Sequence, residues 1–134
     1  MSFSSVNWWA VLACVIFSMI SGSIWYNPST FFKVWWKAIG KSETDPPGGS
    51  PMMWVLTVLS SIVESIFMAM LVPALGGASL ASGARIGFLV WLGLVAPTSL
   101  VNKLFAGRYQ AWGIEVGNHL INLVVFGAIL GAWH

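Results

Sequence analysis

The sequence is poor in charge. Four acidic and six basic residues make up 7% of 134 positions, where soluble domains carry about a quarter. So few charges cannot cover the surface of a domain in water. A net charge of +2 also leaves no basic face for nucleic acid, which is not expected as a partner. Cysteine is nearly missing: Cys14 stands alone, so no disulfide can form within the chain, and it reads as a small packing residue. With one Cys and two His, a zinc site would need Glu64, Glu115 and His119 to converge from separate segments. No segment alternates polar and apolar residues over about ten positions, which argues against a barrel. Basic residues are absent from the first positions and the first apolar run has the length of a span, so no cleavable leader is expected.

What fills the sequence instead is hydrophobic: 57% of residues, with a mean hydropathy of +0.82. Four apolar stretches, at about 6–26, 52–73, 83–101 and 113–133, are each long enough to cross hydrocarbon about 30 Å thick. Lipid satisfies no backbone donor or acceptor, so these stretches are expected as helices. The fold class is therefore all-α and integral to a membrane, one domain over 1–134. Eight of nine tryptophans (Trp8, Trp9, Trp25, Trp35, Trp36, Trp54, Trp112 and Trp133) fall near span ends, as an aromatic belt requires. Trp8 and Trp25 are separated by about 26 Å at helical rise, close to the thickness of the apolar layer.

Lys33, Lys37 and Lys41 follow the first span, and Lys103 and Arg108 follow the third, whereas the opposite side holds only Arg85. Five basic residues against one place both lysine-bearing loops in the cytoplasm and both termini outside. Arg85 begins the third span, where its long stem can reach the headgroups.

Between the first two spans, Asn27 and Pro28 read as the cap and first residue of a short helix over about 28–39, closed by Gly40. At 100° per residue Lys33, Lys37 and Lys41 form one polar stripe, opposite Phe31, Phe32, Trp35, Trp36 and Ile39. This is the pattern of a cationic amphipathic helix lying in the cytoplasmic interface, held by anionic lipid. The run Lys41 to Pro51, with Pro46, Pro47, Gly48 and Gly49, reads as an irregular connector.

Gly22, Ser23, Ile24, Trp25, Tyr26, Asn27 and Pro28, followed by Phe32, Trp35 and Gly40, resemble the signature of a bacterial membrane family, domain of unknown function 1761. The stretches Gly87–Gly93 and Gly127–Trp133 are similar to its third and last spans. The resemblance implies four helices in a bacterial inner membrane and no known activity. Tryptophan-rich sensory proteins have five spans and proline- and arginine-bearing motifs that this chain lacks.

Polar residues at membrane depth are the candidate site. Glu64 lies about 18 Å into the second span, where a carboxylate is costly and marks a functional position. On the fourth span Glu115, His119 and Asn122 share one face, and Asn118 borders it and pairs with Asn122 at a spacing of four. His119 and Asn122 are expected about 9 and 14 Å deep, within a turn or so of Glu64. Two roles follow. Glu64, His119 and Asn122 converge as a hydrogen-bond network that locks helices together, in a structural or accessory subunit; alternatively they serve a small proton- or ion-coupled carrier centred on Glu64.

No residue set marks an enzyme, and no cofactor is expected. His119 and His134 are about 22 Å apart on one helix and cannot share a haem iron, though His119 alone suits single ligation of a pigment. Small residues repeat every four positions at Cys14, Ser18 and Gly22, Gly83 and Gly87, Gly113 and Gly117, and Gly127 and Gly131. Such seams allow close helix approach, so besides the bilayer the expected partners are further copies or a larger membrane complex. Pro97 is expected to kink the third span.

Overall fold

A computed structural model describes residues 1–46 and 50–134. Pro47, Gly48 and Gly49 of the expected connector lie outside the described residues. The elements are α1 (Trp8–Trp25), α2 (Phe32–Ala38), α3 (Pro51–Ala74), α4 (Leu80–Val90), α5 (Ala96–Phe105) and α6 (Tyr109–Ala132), with a single wide turn over Trp91–Val95 joining α4 to α5. The continuous pieces Trp8–Trp25, Pro51–Ala74, Leu80–Phe105 and Tyr109–Ala132 are long and apolar enough to cross a bilayer. They match the four expected spans. The third is longer at both ends, because Ser79 and Ser82 close a reciprocal capping box ahead of Leu80 and the helix persists past Val101 to Phe105.

Helix ends follow from local chemistry. The Asn7 side chain accepts from the Trp9 and Ala10 backbone N–H groups and caps α1. Its amide also donates to the Trp133 carbonyl at 3.4 Å, tying the start of α1 to the end of α6. Three helices stop in the same way. Gly40, Gly76 and Gly107 have φ of +86°, +82° and +69°, and each follows the last turn with the paired bonds of a Schellman motif, such as Arg108 N–H to Lys103 carbonyl at 2.8 Å and Gly107 N–H to Leu104 carbonyl at 3.1 Å.

The expected start of the short helix is corrected. Asn27 does not cap it: its side chain accepts from Ser29 N–H and Ser29 Oγ–H, and its carbonyl takes Thr30 and Phe32 N–H, which makes a turn of residues 27–31. Helix α2 begins only at Phe32. Beyond its glycine stop, the Asp45 carboxylate accepts Ser42 N–H at 2.7 Å, and that bond holds it below the usual carboxylate range.

Helix α6 is the hub, packing against α1, α3, α4 and α5 and touching α2. Its tightest neighbour is α4. A Cβ built on Gly83 would overlap the Gly127 carbonyl, one on Gly127 would overlap the Gly83 carbonyl, and one on Gly87 would overlap the Leu123 carbonyl. Backbone therefore rests on backbone along this seam. Around it Phe126, Leu123, Leu130, Ile86, Val72, Met68, Val11 and Cys14 form the core.

The third span widens before Pro97. Ala96 N–H reaches back five residues to the Trp91 carbonyl, so this turn is a π-bulge. The wider turn accommodates a proline, whose ring would clash with the carbonyl four residues earlier and which has no N–H to give.

The α4–α6 seam makes a direct prediction. Gly83→Ala and Gly127→Ala each add a methyl where backbone already sits, and should destabilise by about 1–3 kcal/mol, the cost of overpacking. Gly113→Ala has nothing within 4 Å of the new Cβ and should be neutral or stabilising by up to about 1 kcal/mol. Reversible unfolding in mixed micelles measures both; equal effects at the three sites would contradict the packing.

Candidate functional site

The polar residues of α6 fall into two layers. The lower layer is built by tryptophans. Trp25 closes α1 with its indole N–H on the Ile114 carbonyl at 2.8 Å, and its ring fills the space over Gly117, where a Cβ would lie 2.8 Å from Cζ2. Trp91, in the π-bulge, donates to the Val116 carbonyl at 2.9 Å. Trp112 donates back to the Ala96 carbonyl at 3.2 Å and to Ser99 Oγ at 3.0 Å. Trp35 of α2 donates to Glu115 Oε1 at 3.1 Å. The same oxygen accepts Lys103 Nζ at 3.0 Å, with both side chains partly covered. Tyr26 meets Trp35 edge-on, centroids 4.9 Å apart, and Phe31 packs against Trp25 at 4.7 Å.

Five tryptophans (Trp25, Trp35, Trp36, Trp91 and Trp112) thus spend their N–H groups on the protein itself. A buried indole needs such a partner. The belt pattern applies to the other four, Trp8, Trp9, Trp54 and Trp133, all of them exposed.

The upper layer is a seam of hydroxyls and amides among α1, α3 and α6. Ser18 and Ser61 share a short hydrogen bond between α1 and α3. One turn along α1, Ser21 Oγ accepts from Asn118 Nδ2 at 3.0 Å, and Asn122 Nδ2 donates to Asn118 Oδ1 at 3.4 Å. Ser18, Ser61, Ser65, Asn118 and Asn122 are all buried.

The expected convergence of Glu64, His119 and Asn122 is not what the folded chain does. Asn122 turns inward to Asn118, His119 is exposed on another face of α6, and Glu64 sits half-buried on the outer flank of α3. Among the described residues no hydrogen bond or ion pair reaches the side chain of Glu64 or of His119. The physical reason is angular. Ser61 and Ser65 take the inward direction of α3, and Glu64 is rotated by about 60–100° from them at 100° per residue. Glu115, expected on the His119 face, instead joins α2 and α5. Among the described residues no three His, Cys, Asp or Glu side chains converge on one point.

Lys33 and Lys37 are exposed, Trp35 and Trp36 are half-buried, and Lys41 lies over the Trp36 ring at 5.9 Å. Gly22 has open space around it, Pro28 lies in the turn, and Gly40 stops α2 beneath the Arg108 side chain. The Lys103–Glu115 pair was not anticipated. Its signal was present as opposite charges on either side of the Gly107 turn, near the same end of two adjacent helices.

Against known proteins, one family model matches, described as a protein of unknown function, DUF1761, over residues 9–131. The chain belongs to the DUF1761 family. Neither a curated protein nor a solved structure matches it. In this member the Trp25–Tyr26 motif has a structural meaning: Trp25 clamps α1 to α6, and Tyr26 seats the α2 tryptophan that reaches Glu115.

Glu115 is then the anchor of α2. Glu115→Ala removes the acceptor of Trp35 and the counter-charge of Lys103, and Trp35→Phe removes the donor. Both should raise amide exchange over residues 32–38 by roughly fivefold, a contact to a charged group discounted for partial exposure. Lys103→Met should have a smaller effect on the same amides. Unchanged exchange in Glu115→Ala would show that α2 is held by something else.

Proposed function

We propose that this chain is a structural or accessory subunit of a bacterial inner membrane, acting through its outer helix faces. One observation carries the reading. Ser18 bonds to Ser61 and Asn118 to Ser21 across helices, whereas Glu64 projects from the outer flank of α3 among Leu56, Leu59, Ser60 and Val63. A carboxyl in that position has work to do only outside the monomer.

The alternative, a proton- or ion-coupled carrier centred on Glu64, calls for a polar route from Glu64 through the bundle. The interior beside it is instead closed by Ser61, Ser65, Met68 and Phe126, all buried. The reading assigns no cofactor and no catalytic residue. Small-residue faces were the expected assembly surface. Gly83, Gly87, Gly127 and Gly131 are used within the chain, Ser18 faces α3, and Gly117 holds Trp25. Gly22 and Gly113 stay open, and in this reading the flank of α3 that carries Glu64 serves as the partner face.

In this reading both lysine-bearing loops face the cytoplasm and both termini lie outside, in keeping with five basic residues on one side and Arg85 on the other. Helix α2 lies in the cytoplasmic interface as an amphipathic element. Lys33, Lys37 and Lys41 face anionic headgroups, each contributing about 1 kcal/mol near the surface.

Native mass spectrometry of the protein released gently from its own membrane tests the subunit reading. The expected result is a complex of two or more chains carrying no stoichiometric small molecule. A bound small molecule at one per chain, with Glu64→Gln abolishing its uptake, would favour the carrier. For α2, replacing Lys33 and Lys37 by Glu should weaken binding of a peptide spanning residues 27–42 to phosphatidylglycerol vesicles by more than tenfold. Unchanged binding would remove the lipid role.

A further inference from the structure

Two connectors far apart in sequence meet at one end of the bundle. The Arg108 side chain, from the turn between α5 and α6, lies against Gly40, the stop of α2. A Cβ at position 40 would come 2.5 Å from Nη2 and 2.8 Å from Cζ of Arg108, so only a glycine leaves room for the guanidinium there. The guanidinium is not spent as a helix cap, because the Trp36 and Lys37 carbonyls already accept Lys41 and Gly40 N–H. Among the described residues no hydrogen bond or ion pair reaches the Arg108 side chain. Lys41 follows Gly40 directly, with its ammonium 5.9 Å from the centre of the Trp36 ring. Two exposed cations thus flank one turn. Of the nearby carboxylates, Glu115 is committed to Lys103 and Trp35, and Asp45 to the Ser42 N–H beside Lys41, which leaves Glu43 exposed.

We propose that Arg108 and Lys41 form a discrete site for the phosphate of an anionic phospholipid, one per chain, at the cytoplasmic end of the bundle. The proposal rests on the reading of α2 as an element of the cytoplasmic interface, and it joins the α5–α6 turn to the lysine stripe that α2 carries. A guanidinium with open donors holds a phosphate through two parallel N–H···O bonds, and a lysine on its flexible stem adds a point charge. Depth selects a lipid as the source of that phosphate. Both connectors lie at the ends of spans, the level at which headgroup phosphates lie. Val101, Leu104 and Phe105 end α5 with exposed apolar side chains, Phe105 being 90% exposed three residues before Arg108. A soluble phosphate leaves that surface in water, whereas acyl chains cover it. Charge selects the headgroup. A zwitterionic lipid brings its own ammonium to the two cations, and an anionic one does not. As a component of the bilayer bound away from Glu64, this lipid is not the carried solute that would mark a carrier.

The test is thermal unfolding of the full chain in mostly neutral micelles, titrated with phosphatidylglycerol or phosphatidylcholine, since a ligand of the folded state raises the midpoint according to its affinity. Phosphatidylglycerol should bind wild type at least about fivefold more tightly than phosphatidylcholine. Arg108→Gln should weaken phosphatidylglycerol about five- to twentyfold and Arg108→Lys by less, because the fork is lost but the charge is kept. Lys33→Gln removes a stripe lysine two turns from Gly40, and without a charged surface it should cost no more than about twofold. All these positions are exposed, so the lipid-free midpoints should match wild type. Equal affinity for the two lipids, or equal losses in Arg108→Gln and Lys33→Gln, would overturn the discrete site. Displacement of the lipid by glycerol phosphate at comparable concentration would overturn the lipid source and give the site to a soluble phosphate. If the peptide of residues 27–42 binds phosphatidylglycerol vesicles while Arg108→Gln matches wild type, the site falls and the interfacial reading of α2 stands. A peptide that does not bind, together with a chain indifferent to lipid charge, removes both.

Discussion

The approach of α4 to α6 through glycine is the constraint on which the rest of the structure depends. Between helices in lipid, apolar burial provides little drive, and contact depends on how closely two backbones can come. Gly83 and Gly127 each occupy space that the other's Cβ would need. Once that seam is set, α6 has a fixed rotation. Asn118 then reaches Ser21 of α1, Leu123 and Phe126 enter the core, and the carbonyls of Ile114 and Val116 become available to tryptophans from two other segments.

The tryptophans consolidate what the glycines permit. An indole N–H facing the interior of a membrane bundle must find an acceptor, and helix carbonyls with a free lone pair are the nearest. Trp25 and Trp91 use them, arriving from α1 and from the π-bulge. The bulge itself follows from Pro97, which cannot donate to the ladder. The wide turn ahead of it places the Trp91 ring toward α6. Glu115 extends the same construction outward, since one carboxylate oxygen holds both Lys103 and the tryptophan of α2.

Much of the architecture was legible because membrane helices obey simple rules. Length, apolarity and backbone self-sufficiency located four spans to within a few residues, and Gly40 was readable as a stop because only a glycine tolerates φ near +86° cheaply. The start of α2 was misread. Asn27 has two local uses, capping a helix or closing a turn, and the carbonyl bonds to Thr30 and Phe32 selected the turn. The candidate site was half legible. Asn118 and Asn122 were placed together by their spacing of four, which is a property of one helix. Glu64 and His119 were matched in depth, but depth carries no information on rotation.

The sequence alone determined what periodicity and composition can encode: an all-helical membrane protein, its span boundaries, the small residues that permit close packing, and the charge asymmetry between its two sides. Only the tertiary structure decided which small residues meet, which tryptophans bond inward, and that Glu64 faces out while the serines beside it face in. The reason is physical. Local rules fix a helix's length and the angles among its own side chains, but its rotation about its axis is set by neighbours, here by backbone contact at Gly83, Gly87, Gly127 and Gly131.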